Sequence, residues 1–313
     1  MSSLVTFGET SVRLRPAGDE RLETTPEARM EVSGAESNVA VAASQLGADA
    51  TWVSKLPDSP LGRRVDRAVC QHGIDTEISW AQDGRQSLQF AELGTTPRES
   101  RQLEDRDHAA IASVEPSELP ITDIQTADGV FVAGSTLALS EEAAETAGAV
   151  LRAVGDGLVA MDLDFRPELL DLASTRDRYE DIFGAVDVLF ANEDQARTVF
   201  EQTGTLREMA HKIASKAGFE IVVITRSEWG AVVWDDSVIH EQDTVETDVI
   251  DPAGQHDAFV GAFIERLLAG AATDEALNDA VAAAALTRTL PGAMTTITEP
   301  EVADLADSLT ETR

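Results

Sequence analysis

Four stretches of this chain are apolar almost without interruption: 129–132, 158–162, 186–190 and 221–225. A strand with one face in water alternates apolar and polar residues, so a strand with no polar face must be covered on both sides. Helical spacing occurs over 35–46, 60–72, 141–153, 193–201, 206–217, 255–269 and 274–289, and a further strand pattern lies at 50–54. Strands alternating with helices predict an α/β fold whose mostly parallel sheet is flanked by helices.

The segment 74–106 has a different texture. Exposed, partly alternating runs at 77–80, 87–92 and 101–104 follow one another with no helix between them, and 11–14 reads the same way. They predict a small β flap, contributed by about 10–16 and 74–106, lying over the edge of the main sheet. With no repeat and no low-complexity linker, the 313 residues read as one α/β domain, 1–313, carrying that flap. Exposed apolar positions such as Leu88 and Phe90 in the flap offer a surface through which a second copy could pair as a homo-oligomer.

Acidic residues number 57 against 24 basic ones, a formal net charge of −33. Such a chain repels nucleic acid and anionic membranes, so neither is expected as a partner. No apolar run reaches the roughly 18 to 20 residues that span a bilayer. The first residues carry no basic or long apolar leader pattern, and a cytoplasmic location is expected. One cysteine, Cys70, excludes a disulfide within the chain and a multi-thiolate zinc site, and its helix pattern suggests a buried structural residue. His72, His108, His211 and His240 lack metal-ligand spacing and read as structural or exposed.

The chemistry concentrates in 249–263, where an apolar strand end and Asp251 lead into Pro252-Ala253-Gly254 and a helix starting at Gln255. First-turn N–H groups have no partner within a helix and sit at the positive end of its dipole, so Gly254, Gln255, His256 and Asp257 can hold phosphate. A carboxylate in the same turn, Asp257, can take the proton of an alcohol while the amides and Mg²⁺ neutralise the transferred group. An Asp in that place also serves simply to cap or support a helix start. Upstream, Ser33-Gly34-Ala35-Glu36-Ser37-Asn38-Val39-Ala40 sets a glycine turn and an asparagine before a small-residue helix. Gly34 permits close approach of backbone to ligand, and Asn38 both donates to and accepts from a polyol; packing of an Ala-rich helix explains the pattern as well.

Taken together, Ser33 to Ala40 and Asp251 to Phe259 resemble the GGxxxNxA and DTxGAGDxF motifs of the PfkB, or ribokinase-like, kinases. The likeness covers nearly the whole chain. Within that family Met161-Asp162-Leu163-Asp164-Phe165-Arg166-Pro167 and Asp187-Val188-Leu189-Phe190-Ala191-Asn192-Glu193 are most similar to 2-keto-3-deoxygluconate kinases. The resemblance implies a doubly wound parallel sheet with a small β lid. It implies ATP and Mg²⁺ as cofactors, with K⁺ a further candidate, and transfer of phosphate to a primary hydroxyl. Gly34, Asn38, Gln89, Glu104, Arg106, Arg166 and Asp257 would meet the acceptor. Asn192, Thr225, Ser227, Gly230 and Gly254 would meet ATP, with Ala283, Thr287 and Gly292 toward the adenine. No residue is expected to ligate the metal directly; Asn192 and Gln195 would reach it through water. The acceptors rank as 2-keto-3-deoxygluconate, then fructose or ribose, then a nucleoside. A sensor of the same fold that binds sugar or nucleotide without turnover is the alternative from another class.

Three departures from the family pattern stand out. Its GAGD is here Gly254-Gln255-His256-Asp257, the usual NxxE glutamate is Gln195, and Gln89 and Glu104 stand where ketodeoxygluconate kinases tend to have tyrosines. His256 adds bulk at the anion site, yet when protonated it places positive charge beside a phosphate. Glu104 is expected to repel an acid, whereas Arg106 and Arg166 can pair with one. Both arginines can instead serve ordinary ion pairing in so acidic a protein.

The charge excess also predicts a dependence on salt, since self-repulsion is relieved when the Debye length shrinks to about 3 Å at 1 M. Adaptation to high intracellular salt is the reading, and thermal unfolding followed against KCl tests it. The melting temperature is expected to climb between low and molar KCl; a flat or falling curve would contradict salt adaptation.

Overall fold

The computed structural model describes residues 1–18, 20–94, 97–226 and 230–311. Its strands are β1 (Ser3–Phe7), β2 (Ser11–Pro16), β3 (Ala28–Ser33), β4 (Asp49–Pro57), β5 (Asp75–Ala81), β6 (Leu88–Glu92), β7 (Arg101–Asp105), β8 (Gly129–Ala133), β9 (Leu158–Asp162), β10 (Val188–Asn192), β11 (Ile221–Arg226), β12 (Gly230–Asp235) and β13 (Val238–Gln242). The helices are α1 (Ala35–Gln45), α2 (Pro60–Cys70), α3 (Ile121–Thr126), α4 (Gly134–Leu137), α5 (Glu141–Ala153), α6 (Leu172–Phe183), α7 (Glu193–Phe200), α8 (Leu206–Ala217), α9 (Gln255–Leu268), α10 (Thr273–Thr287) and α11 (Glu299–Glu311). Among these no helix is long and apolar enough to cross a membrane.

Nine strands form one sheet in the order β13-β12-β11-β10-β9-β8-β1-β4-β5, parallel from β11 to β5 and antiparallel at β12 and β13. The chain builds outward from β1 through β4 to β5, then returns to β1's other side and builds through β8 to β13. The winding therefore reverses between β1 and β8, and in such sheets the crevice beyond the strand C-termini at the reversal is where ligands bind. The continuous apolar runs explain themselves here. In β8, Val130 and Val132 face the core under α5, while Phe131 and Ala133 face the core under α1, α9 and α10. In β10, Leu189 and Ala191 take the first side and Val188 and Phe190 the second, Phe190 meeting Phe263 of α9 edge-on at 5.6 Å between centroids.

A second sheet of four strands has the order β3-β2-β6-β7. Its register aligns Glu31, Arg13, Gln89 and Glu104 in one row and Met30, Leu14, Phe90 and Leu103 in the next. Neighbouring rows point to opposite faces, so one face is charged and polar and the other apolar. Arg13 and Gln89 line the crevice of the large sheet, and Met30 and Leu103 are exposed. Leu88 and Phe90, expected at the surface, are half-buried, and Leu88 packs on the cluster around Trp52.

The expected flap is corrected in two places. The run at 77–80 belongs to β5, which pairs in parallel with β4 at the edge of the large sheet. Ile78 and Trp80 pack inward while Glu77 and Ser79 face out, the alternation of an edge strand with one wet face. The fourth strand of the small sheet is β3, whose Arg29 and Glu31 hide any apolar run. Cys70, expected to be buried, is exposed with Sγ 3.1 Å from Thr76 Oγ1. Val65 and Val69 occupy the inner face of α2, and one step of about 100° turns Cys70 outward.

Helices α1 and α9 approach one another through small residues. A Cβ on Gly261 would stand 2.6 Å from the Val39 carbonyl oxygen and 2.7 Å from Ala42 Cβ. Gly261→Leu is accordingly expected to lower stability by about 1–3 kcal/mol by overpacking, read from the midpoint of denaturant unfolding in molar KCl. An unchanged midpoint would contradict this close contact.

Candidate active site

The turn before α9 is organised around Asp251, which is fully buried. Its Oδ1 accepts from the Ala253 N–H at 3.1 Å and its Oδ2 from the Gly292 N–H at 3.3 Å. Arg13 and Arg15 of β2 bring their guanidinium groups to the same oxygen at 3.4 and 3.8 Å. Gly254 follows with φ +75°, and a Cβ there would collide with the Ala293 carbonyl oxygen, so glycine is required on both counts. Of the four amides expected to hold phosphate, that of Gln255 is turned toward the Pro252 carbonyl at 3.4 Å. Gly254, His256 and Asp257 carry the other three, and His256 and Asp257, being in the first turn, have no partner within the helix.

Asp257 does not cap its helix. Its Oδ2 accepts from Asn38 Nδ2 at 2.7 Å, a bond made across the tight α1–α9 contact, while Asn38 Oδ1 stays buried without a partner among the described residues. Burial pushes the Asp257 carboxyl up to about 6 against the Asn38 hydrogen bond and the charge of His256, so it is ionised at neutral pH. Gly34 precedes α1 because a Cβ would strike the Glu9 carbonyl oxygen.

A cavity of about 430 Å³ opens from Asp257 toward the small sheet. Arg106 Nε lies 2.7 Å from Glu9 Oε2 and 3.5 Å from Glu104 Oε2, and Gln89 Nε2 donates to Glu104 Oε1 at 3.0 Å. Burial raises the Glu9 carboxyl, opposed by Arg106. The repulsion expected from Glu104 is thus met by a guanidinium and by the amides of Gln89 and Gln102. On the opposite wall Arg166 Nε donates to Asp164 Oδ1 at 2.8 Å, and that charge raises the guanidinium further. Asp164 holds φ +31°, a left-handed turn that returns its carboxylate toward the cavity. Buried atoms without a hydrogen-bond partner among the described residues gather around this space: Glu9 Oε1, Asn38 Oδ1, Glu104 Oε2, Arg106 NH1 and Asp164 Oδ2. Buried polar atoms are ordinarily satisfied, so this set is built to receive a polar ligand. Sequence reasoning gave neither Glu9, noted only as part of a Gly8-Glu9 likeness, nor Arg13 a place in the site; the end of β1 and the register of β2 bring them here.

Beyond His256 a narrower groove of about 120 Å³ runs between β11, β12 and α10. Asn192, Thr225 and Gly230 line it as expected, and Thr244, Phe259 and Arg288 join them. Ser227 lies outside the described residues. Ala283 and Thr287 face the core instead, Thr287 Oγ1 bonding Thr295 Oγ1 at 2.8 Å, so α10 offers Val281, Ala284 and Ala285 to the groove. Gly292 sits behind Asp251 and does not reach the groove. Asn192 begins α7 in a reciprocal cap with Gln195: Asn192 Oδ1 accepts from the Gln195 N–H at 2.8 Å and Gln195 Oε1 from the Asn192 N–H at 3.4 Å. No group of three His, Cys, Asp or Glu among the described residues is placed to hold a metal by itself.

Two cavities therefore meet, and Asn192 and His256 border both. A groove on one side, a polar pocket on the other, and a helix start with a carboxylate between them define a site for group transfer between two ligands. The sequence profile of the "pfkB family carbohydrate kinase" matches residues 1–300, and the chain belongs to that family. It is 43% identical over 303 residues to a 2-dehydro-3-deoxygalactonokinase of Haloferax volcanii, spanning 96% of this chain and 95% of that protein. The crystal structure of 2-dehydro-3-deoxygluconokinase from Thermotoga maritima superposes with a TM-score of 0.93 at 28% identity, each chain covered to 98%. A ribokinase II from E. coli, solved with ATP and Mg²⁺, shares the fold with a TM-score of 0.89 at 19% identity, covering 98% of this chain and all of that one. The doubly wound fold expected from the sequence, and the assignment to carbohydrate kinases, are both borne out.

Proposed function

We propose that this kinase transfers the γ-phosphoryl group of ATP to the primary hydroxyl of a 2-dehydro-3-deoxyhexonate, with the galactonate preferred over the gluconate. The cluster of unpartnered buried atoms around Arg106 and Glu104 carries this reading. An acid gives Arg106 NH1 and Arg166 a carboxylate partner, and hydroxyls give Glu9 Oε1, Glu104 Oε2 and Asn38 Oδ1 donors. A neutral sugar would leave the two guanidinium groups without that partner. The two keto acids differ at one hydroxyl-bearing carbon. Galactonate is favoured by the likeness to the Haloferax volcanii protein and by Gln89 and Glu104, which replace tyrosines of the gluconate enzymes.

In this reading Asp257 takes the proton of the acceptor hydroxyl, and the free amides of Gly254, His256 and Asp257 hold the transferred group by its oxygens. Asn38 orients the Asp257 carboxylate and favours its ionised form. Thr225, Gly230 and Phe259 seat the nucleotide, whose adenine lies toward Val281 and Ala284. The donor set fits Mg²⁺ carried on the phosphates: Asp164 Oδ2 is an orphaned buried carboxylate oxygen of the same cavity, and Asn192 and Gln195 would reach the ion through water. When bound, that ion supplies positive charge to the phosphates. A K⁺ requirement, a cytoplasmic setting with its ATP supply, and association of copies through the small sheet belong to the same reading. The apolar row ending in Met30 and Leu103 offers the surface for association.

Coupled ADP release in molar KCl, with both keto acids, fructose, ribose and adenosine, tests the proposal. The galactonate is expected to give the highest kcat/KM, and Asp257→Asn to lose about 10²–10⁴-fold in kcat. Because the base must be unprotonated, turnover should fall as pH drops through about 6. Turnover confined to neutral sugars would overturn the acceptor, and an unimpaired Asp257→Asn would overturn the base; NaCl in place of KCl reads the K⁺ requirement. Sedimentation should show a wild-type dimer or larger assembly that Leu103→Asp breaks; a monomeric wild type would remove the association.

A further inference from the structure

His256 stands where the nucleotide groove opens into the acceptor cavity, one residue before Asp257 in the first turn of α9. Its ring is fixed from two strands: Nε2 lies 2.8 Å from Asp162 Oδ2 at the end of β9, and Nδ1 lies 3.4 Å from Thr225 Oγ1 on β11. The Asp162 side chain is 6% exposed and that of His256 31%, the remainder of the ring being open to the two cavities. We propose that His256, held by Asp162, is a cationic catalytic residue that faces the phosphoryl group as it passes from nucleotide to acceptor. The proposal rests on the kinase reading of this site and adds a side chain to the backbone amides.

Charge at the junction argues for it. None of the three lysines lines either cavity. Arg13, Arg106 and Arg166 also line the acceptor cavity, but Arg13 is paired with Asp251 and Glu31, Arg106 with Glu9 and Arg166 with Asp164, and in the groove Arg288 is bound to Thr247 Oγ1 and the Val245 carbonyl. The charged groups facing the ring are Asp162 at the end of β9, Asp164 just beyond it and Asp257 on its own helix, with neutral Thr225 from β11 and neutral Asn192 from β10. Burial pulls the imidazole down, but the Asp162 charge and hydrogen bond, joined by Asp257 and Asp164, outweigh it and hold its pKa at about 9. The ring is therefore an imidazolium at neutral pH. Apart from Mg²⁺ carried on the phosphates, a neutral ring would leave no uncommitted side-chain cation among the described residues lining this junction to offset the three carboxylates.

Atoms balance without a proton from His256. The acceptor oxygen bonds to the γ-phosphorus as the bond from that phosphorus to the β,γ-bridging oxygen breaks. The acceptor proton goes to Asp257, and the electron pair of the broken bond stays on departing ADP. His256 keeps its proton throughout, so what it contributes is preorganised positive charge where negative charge is in transit.

The test combines steady-state kinetics in molar KCl with NMR titration of the imidazole. His256→Gln and His256→Gly are expected to lower kcat by about 10²–10³-fold with the acceptor KM within about threefold, and His256→Lys to recover part of the loss. In the wild type the His256 C2 proton should titrate above pH 8, Asp162→Asn should bring that midpoint down, and kcat should show an alkaline fall that His256→Gly lacks. A wild-type midpoint at or below the ordinary 6.5 would overturn the proposal without recourse to any variant. So would His256→Gln and His256→Gly turning over at the wild-type rate while Asp257→Asn is inactive. Full activity of Asp257→Asn would instead overturn the reading of the site, and this proposal with it.

Discussion

A carboxylate buried beside an anion-binding helix start is costly, and much of this structure answers that cost. Asp257 keeps its charge near neutral pH because Asn38 donates to it at 2.7 Å and because His256 adjoins it. The Asn38 bond depends on how closely α1 and α9 approach, which in turn depends on Gly261 and the alanines of α1. The turn before Asp257 depends on another buried carboxylate, Asp251, and on the two arginines of β2 that neutralise it. The small sheet is thereby tied to the helix start proposed to hold phosphate: Arg13 lines the larger cavity and also pairs with Asp251 in the turn before that helix.

The same small sheet supports the proposal that so acidic a protein takes an acidic acceptor. Its polar row, Glu31, Arg13, Gln89 and Glu104, sets one guanidinium and one amide between two carboxylates, and each of those carboxylates has a cationic or amide partner. The pocket is nearly compensated within itself, although the chain carries a formal charge of −33. On the proposed function an incoming keto acid meets paired charges with unspent hydrogen-bonding capacity, which favours recognition by geometry over bulk attraction.

How much of this was legible in the sequence follows from where the information lay. The inner strands could be read because burial on both faces leaves no polar residue in them, as in Val188-Leu189-Phe190-Ala191. The edge strand β5 and the lid strand β3 were misread or missed because one face of each is wet, and charged residues such as Glu77 and Arg29 mask the period. Residues 251–257 could be singled out because they are contiguous and their backbone geometry is local. Glu9, Arg13 and the Asp162–His256 pair could not be, since 94 residues separate that pair and only the order of β9, β10 and β11 brings it together. On α10 the face was misjudged: an alanine-rich helix has a weak apolar stripe, so Ala283 and Ala284 are indistinguishable until the packing is known.

In the proposed reaction a primary hydroxyl of a sugar acid meets Asp257 while phosphate rests on the amides of the same turn. A crystal structure with 2-dehydro-3-deoxygalactonate and a non-hydrolysable ATP analogue measures this directly. The acceptor's primary hydroxyl is expected within hydrogen-bonding distance of an Asp257 carboxylate oxygen, its carboxylate on Arg106 or Arg166, and the γ-phosphate at the amides of Gly254 to Asp257. An acceptor seated with its carboxylate toward Asp257, or a γ-phosphate away from that turn, would contradict it.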